Sequence, residues 1–360
     1  MTFSVEDGDI LQIVPGDDAP RERLLALDIS AHLQHPDHPP TNRAIVRTPD
    51  AMKTYPSRHL DAIRHLLGMI AILWSGSFLP VYAGSPELIP LWPDAAPLAG
   101  GSADGDIPRI ELYRVKSDQP TAAILILPGG GYGGLATGHE GVEMAEYFNS
   151  LGMTAAVCIY RHRGKGNDGK GYGHPVPWTD ASRAMRLLRA NHQSWNIEPT
   201  KIGIIGFSAG GHLASTVSTK FDPGKQDSKD PVERASSRPD FAILGYPVIS
   251  FGAEHTHQGS QRNLLGDTPD PELIKSLSNE NAVTPQTPPT FLLHTAEDQP
   301  VPAQNSLSYA SALLKAGVPV ELHVFEAGPH GIGLGQGRPG ADAWPKLCAQ
   351  WLRNRKFIGE

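Results

Sequence analysis

The stretch Lys201–Ala214, Lys-Ile-Gly-Ile-Ile-Gly-Phe-Ser-Ala-Gly-Gly-His-Leu-Ala, decides how this chain is read. Its first part, Lys201–Gly206, is a short apolar run of the kind that forms a strand covered on both faces. Its second part gathers small residues around a serine and then continues as a predicted helix. Gly206-Phe207-Ser208-Ala209-Gly210 is thus a G-x-S-x-G pentapeptide at a strand-to-helix turn. Only small neighbours fit so sharp a turn, which lifts the serine hydroxyl to the start of a helix. There the helix dipole favours developing negative charge. Ser208 is the candidate nucleophile.

Working outward, similar apolar runs recur at Thr121–Leu127, Met153–Tyr160, Phe241–Tyr246, Thr290–His294 and Val320–Phe325. Helical patterns fall between them at Glu143–Leu151, Trp178–Asn191 and Gln304–Ala316. The chain closes with Trp344, Leu347, Cys348 and Trp351 at helical spacing. Alternation of this kind predicts an α/β fold: a mostly parallel central sheet with helices on both faces. Ligands in such sheets bind at the carboxyl ends of the strands, so the segments that follow each strand matter most.

After Thr121–Leu127 comes Pro128-Gly129-Gly130-Gly131-Tyr132-Gly133-Gly134. A glycine-rich turn after a strand can cradle phosphate, but this one lacks the Lys-Ser/Thr of a P-loop and the spacing of a dinucleotide fingerprint. Beside the serine turn it reads as one wall of an oxyanion hole, with backbone N–H groups of Gly130 and Gly131 joining that of Ala209. A serine also needs a base, and the base an orienting acid, in the chain order Ser, Asp or Glu, His. His330, in Gly328-Pro329-His330-Gly331 beyond the last predicted strand, stands where that order places the base. Glu297 and Asp298 are adjacent at the end of the preceding strand, and spacing alone leaves the acid open between them. His212, one turn into the helix after Ser208, reads as structural.

These motifs resemble the small esterase branch of the α/β-hydrolase superfamily, the acetylxylan-esterase-like and feruloyl-esterase-like enzymes. The resemblance spans about residues 88–356 and rests on segments 128–132, 206–214, 298–302 and 328–331. It implies that Asp298, which opens a D-x-x-V-P stretch, is the acid. It implies hydrolysis of short-chain esters, often acetyl groups on plant polysaccharide fragments, with no metal or organic cofactor. Related lipase-like enzymes carry His-Gly-Gly-Gly where this chain has Pro128-Gly129-Gly130-Gly131; the backbone donors are unaffected. The expected function is a serine acetylesterase acting on sugars or xylo-oligosaccharides. The alternatives are a feruloyl or general short-chain carboxylesterase, a serine peptidase, or an inactive binding module. A peptidase of the prolyl-oligopeptidase kind would need an N-terminal propeller for which this chain has no room. An inactive module would not be bound to keep Ser208, Asp298 and His330 together.

The segments at 221–239 and 251–281 are too short for a large lid, so an open, shallow site is expected. Tyr132, Tyr172, Trp178 and Tyr246 are aromatic candidates for a sugar platform, and core packing competes as a role for each. Tyr132 is singled out as a substrate-binding residue because it adjoins the oxyanion loop. With 360 residues and a net charge of -7, the chain has no clustered basic face, and no nucleic-acid partner is expected. Its two cysteines, Cys158 and Cys348, are read as buried and unpaired.

The N-terminal region reads differently. Residues 1–51 are polar and proline-rich and are taken as an upstream extension of the reading frame, disordered. From Met52 a basic start (Lys53, Arg58, Arg64) leads into apolar Leu66–Trp74 and then Val81-Tyr82-Ala83. That order describes a secretory signal peptide over residues 52–83. It is too short and interrupted for a good membrane span. The catalytic domain then occupies residues 84–360. A secreted or periplasmic protein without a membrane span in the mature chain is expected.

Overall fold

The computed structural model describes residues 85–359. The upstream-extension and signal-peptide readings of residues 1–83 lie outside the described residues.

Strand β3 (Thr121–Leu127) sits inside the sheet, and its composition shows why: every second residue meets a different core. Ala123, Leu125 and Leu127 enter one apolar cluster, whereas Ala122, Ile124 and Ile126 enter another on the opposite face. Strand β5 (Ile197–Phe207) pairs with it in parallel and repeats the alternation, Ile202 and Ile204 against Ile205 and Phe207. The two join β1 (Glu87–Pro90), β2 (Arg109–Tyr113), β4 (Thr154–Ile159), β6 (Ala242–Gly245), β7 (Thr290–Thr295) and β8 (Val320–Phe325). The resulting eight-stranded sheet has the order β1-β2-β4-β3-β5-β6-β7-β8. Only the β1–β2 and β2–β4 pairings are antiparallel. The predicted α/β-hydrolase fold, a mostly parallel sheet with helices on both faces, is what the chain adopts.

Helices cover the sheet according to their apolar stripes. Helix α1 (Glu143–Ser150) presses Met144, Ala145 and Phe148 onto one face. Helix α2 (Val176–Ala190) and helix α3 (Ser208–Thr219) send Ala181, Met185, Leu188, Leu213 and Val217 to the other. Two short helices form within the 251–281 segment. Helix α4 (Gln258–Leu265) is capped by the His257 side chain, which accepts from Ser260 N–H. Helix α5 (Pro271–Ser276) is capped by Asp270. Helix α6 (Gln304–Lys315) and helix α7 (Trp344–Asn354) complete the layers, with Tyr309 and Leu313 on the α2–α3 side and Trp344, Cys348 and Trp351 on the α1 side. Cys158 and Cys348 are buried and free, one in each cluster, with the sheet between them.

One buried ion pair fixes the carboxyl edge of β4. Arg161 donates from Nη2 to Asp180 Oδ1 at 2.6 Å and from Nε to Oδ2 at 2.9 Å, and its own N–H reaches the same carboxylate. The loop that follows is docked by a bond from Arg163 N–H to the Tyr132 carbonyl, 2.8 Å. Breaking such a buried pair from one side typically costs about 3–5 kcal/mol.

Candidate active site

At the end of β5 the chain enters α3 through Phe207, in extended conformation, and Ser208, whose φ of 53° is left-handed. A non-glycine residue there is uncommon, and the packing around it accounts for the small neighbours. A Cβ on Gly210 would lie 2.1 Å from the Leu127 carbonyl oxygen. A Cβ on Gly129 would lie 2.9 Å from Ser208 Cβ and 2.8 Å from the Phe207 carbonyl oxygen. The 128–134 loop and the serine turn therefore touch backbone to backbone.

His330 arrives on the loop after β8 and Asp298 on the loop after β7. His330 Nε2 lies 2.8 Å from Ser208 Oγ, and His330 Nδ1 lies 2.7 Å from Asp298 Oδ2. The other Asp298 oxygen accepts from Val301 N–H at 2.9 Å. His294 stands 3.4 Å from Asp298 through Nε2, which is also 2.7 Å from the Val301 carbonyl. Burial works to raise the Asp298 pKa. The hydrogen bonds of His294 and His330, the charge of His330 and the Val301 N–H outweigh it and hold the carboxyl at about 2. Asp298 is thus a buried carboxylate. Its neighbour Glu297 points elsewhere, accepting Gly328 N–H at 3.0 Å. The structure brings Ser208, His330 and Asp298 into one hydrogen-bonded chain and leaves Glu297 out.

Gly130 and Gly131 take positive φ values of 128° and 61°. The Gly130 carbonyl accepts from Gly133 and Gly134, and the Gly131 carbonyl accepts from Asn263 Nδ2 at 2.8 Å. Among the described residues no carbonyl takes the N–H groups of Gly130, Gly131 or Ala209. Such N–H groups, one of them in the first turn of α3, suit a developing oxyanion.

The structure corrects the reading of Tyr132 as a substrate-binding residue. Its ring is wholly buried, packed on Tyr160 and His212, with its hydroxyl 2.8 Å from His212 Nδ1. With φ at 56°, the backbone turns the side chain beneath the loop rather than out over it. Burial first, and the charges of His174 and Lys220, lower the His212 pKa to about 4 against a bond to the Leu277 carbonyl. The neutral ring therefore donates from Nε2 to Leu277 and accepts the Tyr132 hydroxyl, tying the loop to α3. Tyr172 and Tyr246 are also buried, and Trp178 is half-buried and stacked on His174. None of the three tyrosines offers a face for a sugar.

Other residues at the site escape a reading of the sequence. A Cβ on Gly131 would lie 3.8 Å from His257 Cε1, which places the α4 cap beside the oxyanion loop. Burial and the charge of His330 hold the His257 pKa below its ordinary value, although Asp298 pulls the other way. His139 stands beside the His330 loop, its Nε2 3.9 Å from a Cβ on Gly331. Glu140, next in the chain, is buried, with Gly129 N–H on Oε2 at 2.8 Å and the Tyr246 hydroxyl on Oε1 at 2.8 Å. Glu140 follows a Gly-His pair and precedes the predicted helix Glu143–Leu151, so no local signal marks it. On the far side of the loop, Gly134, Leu135 and Thr137 line a cleft of about 310 Å³ with Arg109, His162 and Lys165.

Comparison with known proteins agrees with this architecture. The BD-FAE family model matches residues 110–313, more than half of the chain. The solved acetyl ester-xyloside bifunctional hydrolase of Caldicellulosiruptor lactoaceticus is 45% identical, with a TM-score of 0.73; the match covers 78% of this chain and 100% of that one. An acetylxylan esterase of Xylanibacter ruminicola is 35% identical over 238 residues, 64% of this chain and 45% of that protein. Endo-1,4-beta-xylanase B of Butyrivibrio fibrisolvens is 38% identical over 228 residues, 63% of this chain and 35% of that protein. The chain spans less than half the length of these last two relatives. It belongs to the BD-FAE family of the α/β-hydrolase fold.

Proposed function

We propose that this protein is a serine esterase that removes acetyl groups from sugars or xylo-oligosaccharides through an acyl-enzyme on Ser208. The observation that carries the reading is the unbroken chain Asp298–His330–Ser208, at 2.7 and 2.8 Å, at the carboxyl edge of the sheet. His330 Nε2 takes the Ser208 proton as Oγ attacks the ester carbonyl. Gly130, Gly131 and Ala209 receive the oxyanion on their N–H groups. His330, now charged and steadied by Asp298, protonates the leaving sugar hydroxyl. Water then attacks the acyl-enzyme with His330 again as base.

Two observations support an acetylated sugar as substrate. The Xylanibacter relative is an acetylxylan esterase, and the Caldicellulosiruptor neighbour is an acetyl ester-xyloside hydrolase. The test is kcat/KM across acetyl, butyryl and octanoyl nitrophenyl esters, then across acetylated xylo-oligosaccharides and methyl ferulate. Each covered methylene is worth roughly 1–3 kcal/mol, so a deep acyl pocket announces itself at octanoyl. Acetyl esters lead on this reading. An octanoyl preference would make the protein a lipase-like carboxylesterase, and a ferulate preference would give it the sister activity.

A further inference from the structure

We infer that Glu140 is a positioning residue that holds the oxyanion loop and the loop of the base in register with each other. The inference rests on the esterase reading given above. It starts from a carboxylate that is out of place. Glu140 is 3% exposed, and among the described residues no lysine or arginine pairs with it. Among the described residues its ion-pair partner is His139, at 3.6 Å and half-exposed, whose pKa Glu140 raises. A buried carboxylate without a firm counter-charge is costly unless hydrogen bonds hold it.

Those bonds run to both halves of the site. Oε2 accepts Gly129 N–H, one residue before Gly130, and Gly129 itself lies between Glu140 and Ser208: a Cβ there would stand 2.7 Å from Oε2 and 2.9 Å from Ser208 Cβ. Oε1 accepts the Tyr246 hydroxyl. The Tyr246 oxygen in turn accepts Gly333 N–H at 3.1 Å, three residues after His330. The edge of the Tyr246 ring also meets His330, with ring centroids 5.1 Å apart at 75°. One carboxylate thus links the backbone before the oxyanion donors to the backbone after the base.

Two local distortions serve this arrangement. Glu140 sits in a π-helical turn, Gly138–Val142, where Val142 N–H reaches back to the Thr137 carbonyl. Tyr246, just past β6, is held at φ 36°, a left-handed value uncommon for a residue of this size. Irregular turns of both kinds gather at functional sites. A fully satisfied buried network of this sort rigidifies what it joins.

The test measures nitrophenyl acetate hydrolysis, thermal melting and phenylboronic acid inhibition in Glu140→Ala, Glu140→Gln, Tyr246→Phe and the double variant Glu140→Gln/Tyr246→Phe. A misplacement of about 1 Å in a reacting geometry can cost roughly a hundredfold. The Ala variant is therefore expected to lose about a hundredfold in kcat with KM within about threefold. The Gln variant keeps the shape but must aim an N–H at Gly129 N–H or at the Tyr246 oxygen, and loses about tenfold. Boronate affinity falls in step with kcat, because the boronate fills the oxyanion site as a tetrahedral adduct. The double variant loses no more than the worse single one, since both cuts break the same link. Should Glu140→Gln and Tyr246→Phe, folded, keep kcat and boronate affinity within about threefold of wild type, the link is structural only and the inference is wrong. A wild-type protein inert toward every ester would overturn the esterase reading and this inference together, and that outcome is separate from active wild type with indifferent variants.

Discussion

Replacing Asp298 by asparagine tests the reading of the site at its most quantifiable point. Asp298 accepts twice, from Val301 N–H on Oδ1 and from His330 on Oδ2, and His294 Nε2 stands a further 3.4 Å from Oδ2. An asparagine has only one oxygen to offer. If that oxygen stays with Val301, the amide N–H₂ faces His330 Nδ1, which must then lose its proton. The ring's other nitrogen carries the hydrogen, donates to Ser208 Oγ and can no longer serve as its base. If the amide flips to keep the productive tautomer, Val301 N–H faces a donor in a buried place, a cost of about 1–3 kcal/mol. The imidazolium formed during attack also loses a charge-assisted bond, about 1.5–3 kcal/mol. Together these amount to roughly 3–6 kcal/mol, or about 10²–10⁴ in kcat at about 1.36 kcal/mol per decade. Glu297→Gln is the matched control, because its one bond, to Gly328 N–H, survives in an amide; a change of no more than about threefold is expected there. Steady-state kinetics on nitrophenyl acetate at neutral pH, with melting curves to exclude unfolding, decide the matter. An Asp298→Asn variant within about tenfold of wild type, or a Glu297→Gln variant that loses more than it does, would refute the reasoning.

The remaining expectations are simpler. Ser208→Ala keeps the fold and leaves less than about a hundredth of wild-type kcat, measured on the same substrate; greater residual activity would remove Ser208 from the mechanism. The Asp298 carboxyl sits at about 2 in the folded protein against an ordinary 3.8, so its stabilising contribution is present above pH 3.8 and is lost as the pH falls through 2. The melting-temperature gap between wild type and Asp298→Asn should therefore narrow between those values, and a constant gap would assign the stabilisation to something else. Titration of the unfolded, unreduced protein should count two free thiols, as Cys158 and Cys348 lie on opposite faces of the sheet; a count of zero would overturn this. We propose export with cleavage after Ala83, so N-terminal sequencing of the mature protein should begin at Gly84, and a mature chain beginning at Met1 would contradict it.

The parts of this molecule that are legible in its sequence are those where one physical demand dominates. Strand β3 and the Ile202–Phe207 part of β5 are covered on both faces, so almost every residue there is apolar and the run is continuous. Strand β1, Glu-Leu-Ile-Pro at the sheet edge, leaves Leu88 60% exposed and offers no such run. Helices α4 and α5 are short and held mainly by their caps and by contacts distant in sequence. At the site, Ser208 and His330 announce themselves through glycines at strand ends, which mark turns that a backbone must make. Choosing Asp298 over Glu297 needs the resemblance, because direction at a strand end is not written in spacing. Tyr132 misleads for the same reason: closeness along the chain says nothing about which way a side chain turns. Glu140 is invisible because its burial is created by Gly129, Tyr246 and a π turn acting together, none of which changes the polar character of its own segment.

The backbone at Ser208 also limits which nucleophiles this site can host. At φ 53° the Cβ already crowds the neighbouring carbonyl. A side chain with one heavy atom beyond Cβ keeps a rotamer toward His330, and serine or cysteine satisfies that. Threonine adds a methyl group on Cβ, and branched residues are the ones that tolerate left-handed backbone least. A threonine hydroxyl would be chemically adequate, yet the turn that holds the nucleophile excludes it. Any attempt to retune the reactivity of this centre by exchanging the attacking atom is thereby confined to oxygen or sulfur on an unbranched stem.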